Sequence, residues 1–441
     1  MSEFHDVRQI KGENTRIVLD NGELDEISEN FFQGAAIRAL CGGAWGFVCT
    51  ECLDNLDDKL KSARGIARKI DRNEVLKLAS SEPGTSLQVP VKKEPGNLSL
   101  DEKVDILKEI ENAAKVEGVN STQAVYNEVR SVTTYTSSDG RDLKYELTRT
   151  GFYVTAVASR EGIYQAGTES RAGVCGLELF DEVDAFDLAR KAGEKAVALL
   201  DAKAPKGGIF PVVVDQELGG VFVHEAVGHA TEADIVLEGG SILEGKIGQK
   251  IGSELVTVKD DPTLLRYGYY PFDDEGSASK ETVLVEEGVL KSYLHSRETA
   301  GRLGGTPRNA RAQGYASPVV RMSNTYMAPS RKDGWSFEEM LEEAGDGVYL
   351  LGSRGGQVSP AEGVFQFNAK YGYQIENGEI TGLLRDASLS GRILETMKSV
   401  EAIGNDLKFN SGRCGKAGQL VPVSDGSPHM LIKGATVGGS G

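Results

Sequence analysis

Two of the five histidines in this 441-residue chain flank a glutamate, in Val223-His224-Glu225-Ala226-Val227-Gly228-His229. Neutral imidazoles bind zinc, and a carboxylate beside them can take a proton from a water that the metal polarises. Chance gives an H-E-x-x-x-H pattern on the order of once in a hundred chains of this composition. The spacing has a geometric consequence. Histidines four residues apart lie about 40° from each other around a helix, and histidines five apart about 140°. A regular helix would point these two rings away from one metal. The pattern therefore predicts a π-bulge, or a turn distorted at Gly228. The plain alternative is an amphipathic core helix with His224 and His229 as hydrogen-bonded interior residues. It leaves Glu225 with no packing use.

A hydrolytic zinc site takes three protein ligands and leaves the fourth position open. Candidates for the third are His5 in the N-terminal segment, His295 at a strand end, His429 before the last strand, and Glu232 and Asp234 on the motif helix. Cys414, in Asn410-Ser411-Gly412-Arg413-Cys414-Gly415-Lys416, is the better one. A thiolate in a glycine-rich loop near a cation deprotonates easily and can approach a metal closely. The chemistry expected of such a site is peptide-bond hydrolysis by metal-activated water, with Glu225 as general base. Arg308, Arg311 and Arg321 could grip a substrate carboxylate, or pair with acidic surface groups. Asp273, Asp274 and Glu275 could orient a ligand imidazole, or simply shape the turn ending at Gly276. Cys49-Thr50-Glu51-Cys52, with Cys41 nearby, is a lone C-x-x-C without a βαβ context. It reads as small buried residues ahead of a redox pair or half a zinc site. No P-loop lysine motif or strand-borne G-x-G-x-x-G fingerprint is present.

The elements that must position these residues fall into segments. Residues 1–79 read as an N-terminal α+β domain, with an Asn21-Gly22 hairpin and a helix from Asp54 to Arg72. Residues 80–98 read as a linker. Residues 99–206 form a middle α+β domain: a helix from Ser99, which has a capping box with Glu102, strand-like runs over 129–137, 143–148, 152–158 and 162–167, and a helix from Asp184 to about Asp201. Residues 207–441 read as a large C-terminal domain, mostly antiparallel sheet, carrying the zinc helix from Gly220 to about Leu237 and a second helix from Trp335 to about Ala344. The fold class is α+β.

Composition narrows the partners. The 49 Lys and Arg against 66 Asp and Glu give a net charge of −17, which argues against a nucleic-acid backbone binder. No run approaches the ~20 apolar residues of a membrane span, and the N-terminus has no signal-peptide core. A cytoplasmic protein with reduced thiols is expected, touching neither membrane nor nucleic acid. The 54 glycines fit a turn-rich sheet.

Several stretches resemble the TldD/PmbA metalloproteases. They are His224-Glu225-Ala226-Val227-Gly228-His229 with Glu232 and Asp234, Asp273-Asp274-Glu275-Gly276, Arg321-Met322-Ser323-Asn324-Thr325-Tyr326-Met327, Gly356-Gln357-Val358, Gly404-Asn405-Asp406-Leu407, Cys414-Gly415-Lys416-Ala417-Gly418-Gln419 and Thr436-Val437-Gly438-Gly439. They cover most of the chain from Gly207 in the family's order. Gly12-Glu13-Asn14-Thr15-Arg16 and Gly43-Ala44-Trp45-Gly46-Phe47 are similar to its N-terminal domain. Family members usually begin with a helix, whereas this chain enters almost directly at Asp6-Val7-Arg8, a departure that concerns N-terminal packing alone. The likeness is to the TldD branch, since PmbA (TldE) subunits lack the zinc motif. It implies zinc held by His224, His229 and Cys414, with Glu225 as base, and cleavage of unfolded or short peptides in a heterodimer with a TldE-like subunit or in a homodimer. Asp273, Asp274, Glu275, Arg321 and Asn324 are the candidates for touching substrate or steadying the ligands. The rival readings are a non-catalytic, TldE-like modulator and a thiol redox protein.

Overall fold

A computed structural model describes residues 3–70, 76–330 and 334–439. The Asn21-Gly22 turn, with both residues at positive φ, joins two long strands, Phe4–Asp20 and Glu23–Cys41. The helix that follows spans Leu56–Ala67; positions 71 and 72 of its expected extent lie outside the described residues. In the middle segment, the runs expected at 143–148 and 152–158 are one continuous strand, Asp142–Arg160. The first strand pairs antiparallel with Val119–Ser137, which pairs with Asp142–Arg160 in turn. Strands from before and after residues 80–98 thus share one seven-stranded sheet. Within 80–98, Leu87–Gln88 adds a short parallel strand to it. Helices Leu100–Ala113, with its Ser99–Glu102 capping box, and Ala185–Ala198, capped by Asp184, cover the sheet over a core including Leu107, Ile110, Phe152 and Leu188.

From Gly208 onward the described residues build three further sheets, of nine, six and two strands. Gly208–Val214 lies inside the nine-stranded sheet, between Met430–Gly439 and Gly347–Leu351. The motif segment follows it directly and is buried by residues from the nine- and six-stranded sheets, among them Phe365, Val421 and Val423, and by Met322 from a connecting segment. The architecture is α+β, with mostly antiparallel sheets.

The single zinc helix expected from Gly220 to Leu237 is four pieces: an α-helix Gln216–Val223, a π-turn His224–Gly228, a 3-10 turn His229–Thr231 and an α-helix Ala233–Leu237. It also starts earlier. Asp215 caps it by accepting from the Leu218 amide at 2.8 Å, so Gly219 and Gly220 lie within the helix instead of breaking the chain before it. They are there for close approach. A Cβ on Gly220 would stand 2.7 Å from Asp425 Oδ1, and one on Gly219 2.8 Å from Ser427 Oγ.

Candidate metal centre

The π-turn answers the five-residue spacing. The His229 amide donates to the His224 carbonyl, five residues back, and both rings come to one side with centroids 5.3 Å apart. Gly228 has an ordinary helical φ of −55°, so it is not needed for backbone freedom. It is needed for space, because a Cβ there would lie 1.9 Å from Met322 Sδ.

The third group arrives from 185 residues along the chain, with Cys414 Sγ 3.4 Å from His229 Nε2. The ligand atoms of His224, His229 and Cys414 all lie within 4.8 Å of one another. Cys414 is not in a flexible glycine-rich loop. It sits in a regular strand, Lys408–Lys416, paired in register with Gln419–Ser427 through an Ala417-Gly418 turn. Regular pairing fixes which face each residue presents, and Cys414 presents its sulfur to the histidines. Arg321, fully buried, donates to the carbonyls of Cys414 and Gln419 and so holds both strands of this hairpin.

Charges around the cluster reinforce it. Burial pushes the Cys414 thiol up, but hydrogen bonds and charge from His224 and His229 outweigh it and bring the group down to about 4. Burial lowers both imidazoles, and the sulfur, joined at His229 by Glu232, raises them on balance. Glu232, itself fully buried, accepts from His229 Nδ1 at 2.9 Å and from Lys416 Nζ at 3.1 Å. Lys416 also bridges to Asp234 at 2.7 Å, and Asp234 accepts from the Val320 amide. Glu232 and Asp234 therefore support the cluster from behind it. Glu225 is partly exposed, with Oε2 3.8 Å from His229 Nε2, the ring nitrogen that faces the sulfur.

This donor set fits zinc. Two imidazole nitrogens and one thiolate are among its usual ligands, and tetrahedral ligand atoms stand about 3.4–3.7 Å apart. The bond from His229 Nδ1 to Glu232 leaves Nε2 as the coordinating atom. Among the described residues His224 Nδ1 is buried without a hydrogen-bond partner, as is Asp425 Oδ1, whose carboxyl burial raises to about 7 and whose main opposing influence is the charge of His224.

The remaining candidates lie elsewhere. His5 contacts Arg64, His295 contacts Thr299, and His429 is held between Asp406 at 2.5 Å and the Tyr349 hydroxyl at 2.9 Å. Asp273, Asp274 and Glu275 do not reach the imidazoles. Asp273 accepts from the amides of Glu275, Ser277 and Ala310, Asp274 pairs with Arg8, and Glu275 pairs with Arg38 while accepting from the Arg297 amide. They tie the C-terminal segment to the first sheet. Asn324 donates to the carbonyls of Asp261 and Leu264 and braces a loop. Of the arginine group, Arg308 donates to the Glu281 carbonyl and Arg311 to those of Met322 and Pro422. All five cysteines are free; Cys49 and Cys52 are exposed, not buried as expected. Sequence reasoning missed Lys416, although it lies two residues past Cys414. It also missed Asp260, a buried carboxylate that accepts from Ser323, Thr325 and Asn309.

A histidine and a glutamate on a π-turn, the histidine that ends it and a cysteine from a distant strand form a group that could hold a metal, and comparison with known proteins gives the family. The PmbA/TldA metallopeptidase models match throughout: domain 1 at residues 5–67, the central domain at 93–200 and the C-terminal domain at 207–439. A metalloprotease of Archaeoglobus fulgidus is 44% identical over 437 residues, 99% of this chain and 100% of the relative. A zinc metalloprotease TldD homolog of Saccharolobus solfataricus is 30% identical, covering 94% of this chain and 91% of its own. Among solved structures, TldE from Thermococcus kodakarensis superposes with a TM-score of 0.79 at 18% identity, over 99% of this chain and 97% of that one. A protein of Thermotoga maritima described as a candidate modulator of a DNA gyrase gives 0.83 at 24%, over 99% and 96%. This chain belongs to the TldD/PmbA family. Among the described residues no helix is long and apolar enough to cross a membrane.

Proposed function

We propose that this protein is a zinc-dependent peptidase in which His224, His229 and Cys414 hold the metal and Glu225 is the general base. The observation that carries the reading is the convergence of three ligand atoms from two distant segments within 4.8 Å, with a carboxylate beside them. Zinc bound there would supply Lewis acidity and lower the pKa of water at the site. Glu225, partly open to solvent, accepts the proton of the attacking water and returns it to the leaving amine. Glu232 holds His229 in one tautomer, and Lys416 keeps Glu232 charged. Arg321 fixes the Cys414 hairpin, so the thiolate meets the rings at a set distance.

The substrates are unfolded or short peptides, lying as an added strand along a sheet edge, because backbone pairing tolerates mixed side chains. The likeness to TldE supports a heterodimer with a TldE-like subunit, with a homodimer as the alternative, in the cytoplasm. The division at 207 belongs to the same reading and is supported by the start of the C-terminal family match; the segments on either side of residues 80–98 match separate family models yet share one sheet. The names of some structural neighbours favour a modulator role instead; the intact cluster weighs against it. Metal analysis and peptide cleavage of wild type and Glu225→Ala decide between them. One zinc per chain in both, with cleavage in wild type alone, is the expected result. Equal cleavage in the two proteins would sink the mechanism.

A further inference from the structure

A cavity of about 320 Å³ lies between the first sheet and the Cys414 hairpin, and four arginines line it: Arg8, Arg149, Arg311 and Arg413. Arg413 and Cys414 are neighbours on one strand and so point to opposite faces. One faces the cavity, the other the histidines. Two carboxylates also reach the cavity, and only one of them is ion-paired. Asp274 pairs with Arg8 at 2.6 Å, and Asp273 spends its oxygens on three backbone amides. The other three arginines make no ion pair among the described residues. Arg149 donates to the carbonyls of Tyr267 and Tyr269, at 3.1 and 2.7 Å, and Arg311 to those of Met322 and Pro422.

Carbonyls use some of a guanidinium's five N–H groups but leave its charge uncompensated. Burial lowers Arg149, and repulsion from Arg311 and Arg413 pushes the same way, so the three charges feel one another. Four guanidinia against two carboxylates leave an excess of positive charge around one chamber, with Arg311 buried, Arg149 half-buried and Arg413 at its exposed side, in a chain of net charge −17. Five aromatic rings, of Phe32, Tyr145, Tyr267, Tyr270 and Phe272, share the walls with aliphatic and polar side chains, and the ring of Tyr270 already lies 5.0 Å from Arg311.

We propose that this cavity binds a small organic oxyanion, a carboxylate or phosphate carried on an apolar or aromatic body. Forked guanidinia suit either group, and the chamber has the size of a small-ligand pocket. The site is separate from the metal cluster yet connected to it. Arg311 bonds Met322, whose sulfur packs on Gly228, and Pro422, next to the partner strand residue of Cys414.

The test is calorimetric titration of the full-length protein with inorganic phosphate and, separately, with N-acetylphenylalanine. Wild type, Arg413→Met, Arg149→Met and Cys414→Ser are compared. Arg413 is exposed, so its variant folds even where the Arg149 variant fails. One saturable site for at least one probe is expected, weakened about tenfold or more by Arg413→Met and retained in Cys414→Ser. Phosphate binding alone marks a phosphate ligand; binding of the acylated amino acid marks an organic carboxylate. The proposal is overturned if wild type binds neither probe, or if Arg413→Met binds as wild type does. Binding that disappears in Cys414→Ser while persisting in Arg413→Met would place the anion on the metal instead, and would also overturn it.

Discussion

In the first sheet, four strands run for 17 to 19 residues each, with nearly unbroken antiparallel register. After Gly208 the described strands span two to ten residues, mix parallel with antiparallel pairing, and give way to a π-turn where the histidines stand. The first region satisfies its backbone with a repetitive ladder and buries apolar residues between sheet and helices. The second buries more polar groups, from Asp260 through Arg321 and Thr325, than the first does at positions such as Asp6, Arg8, Arg38 and Glu111, and most of them take a specific partner. Regularity makes a scaffold. Irregular, individually bonded structure is what brings side chains from distant segments to one point.

If that contrast is right, single changes after Gly208 should matter far more than changes in the first sheet. Glu225→Gln should lower peptide cleavage by about 10²–10⁴-fold while metal content stays unchanged, read by steady-state kinetics and metal analysis. His295 gives a pH test within the same region. Burial lowers its imidazole to about 4, against an ordinary 6.5. The folded state keeps it neutral while the unfolded chain protonates, so its contribution is full above about pH 6.5 and is lost as pH falls toward 4. Urea unfolding at pH 7 and 4.5 should show this loss, on the order of 3 kcal/mol over the whole window, and His295→Gln should flatten it. Glu232→Gln should weaken zinc affinity by about 10–100-fold in competition with a chelator, because His229 loses its charged partner. At the other end, the Cys49→Ser, Cys52→Ser double variant changes exposed thiols of the scaffold. Its activity should equal wild type and its stability stay within about 0.5 kcal/mol. A large loss there would erase the distinction between the two regions.

Much of the site was legible because it is local. The five-residue histidine spacing required a helix with one residue too many, and the π-turn supplies it. The role of Gly228 was not legible, because Met322, the atom group that forbids a Cβ, comes from 94 residues later in sequence. The same reason hid the partners of Asp273, Asp274 and Glu275: residue types suggested a site, but Arg8 and Arg38 claim two of the carboxylates across the fold. Local glycines misled at the start of the motif helix, placed at Gly220 and found at Gln216, and at Cys414. In both places a turn-like composition sits in regular structure, since glycine there answers a neighbour's proximity or open space beside a strand. The first sheet was underread for a different reason. The outer half of Glu23–Cys41 is exposed, so it shows no apolar alternation, and only its ladder with Phe4–Asp20 keeps it extended.

The 185-residue gap between His229 and Cys414 also bears on how the chain becomes stable. An unfolded chain offers a metal the histidine pair alone, because nothing holds the thiolate nearby. For a metal held as proposed, affinity for the complete set would exist only once the hairpin has docked on the helix, and binding energy would become folding energy. Free metal at about a hundred times its dissociation constant would then add about 2.7 kcal/mol to the native state. The ion would act as an inspector of tertiary assembly, retained by chains whose two distant halves have closed and released by those that have not.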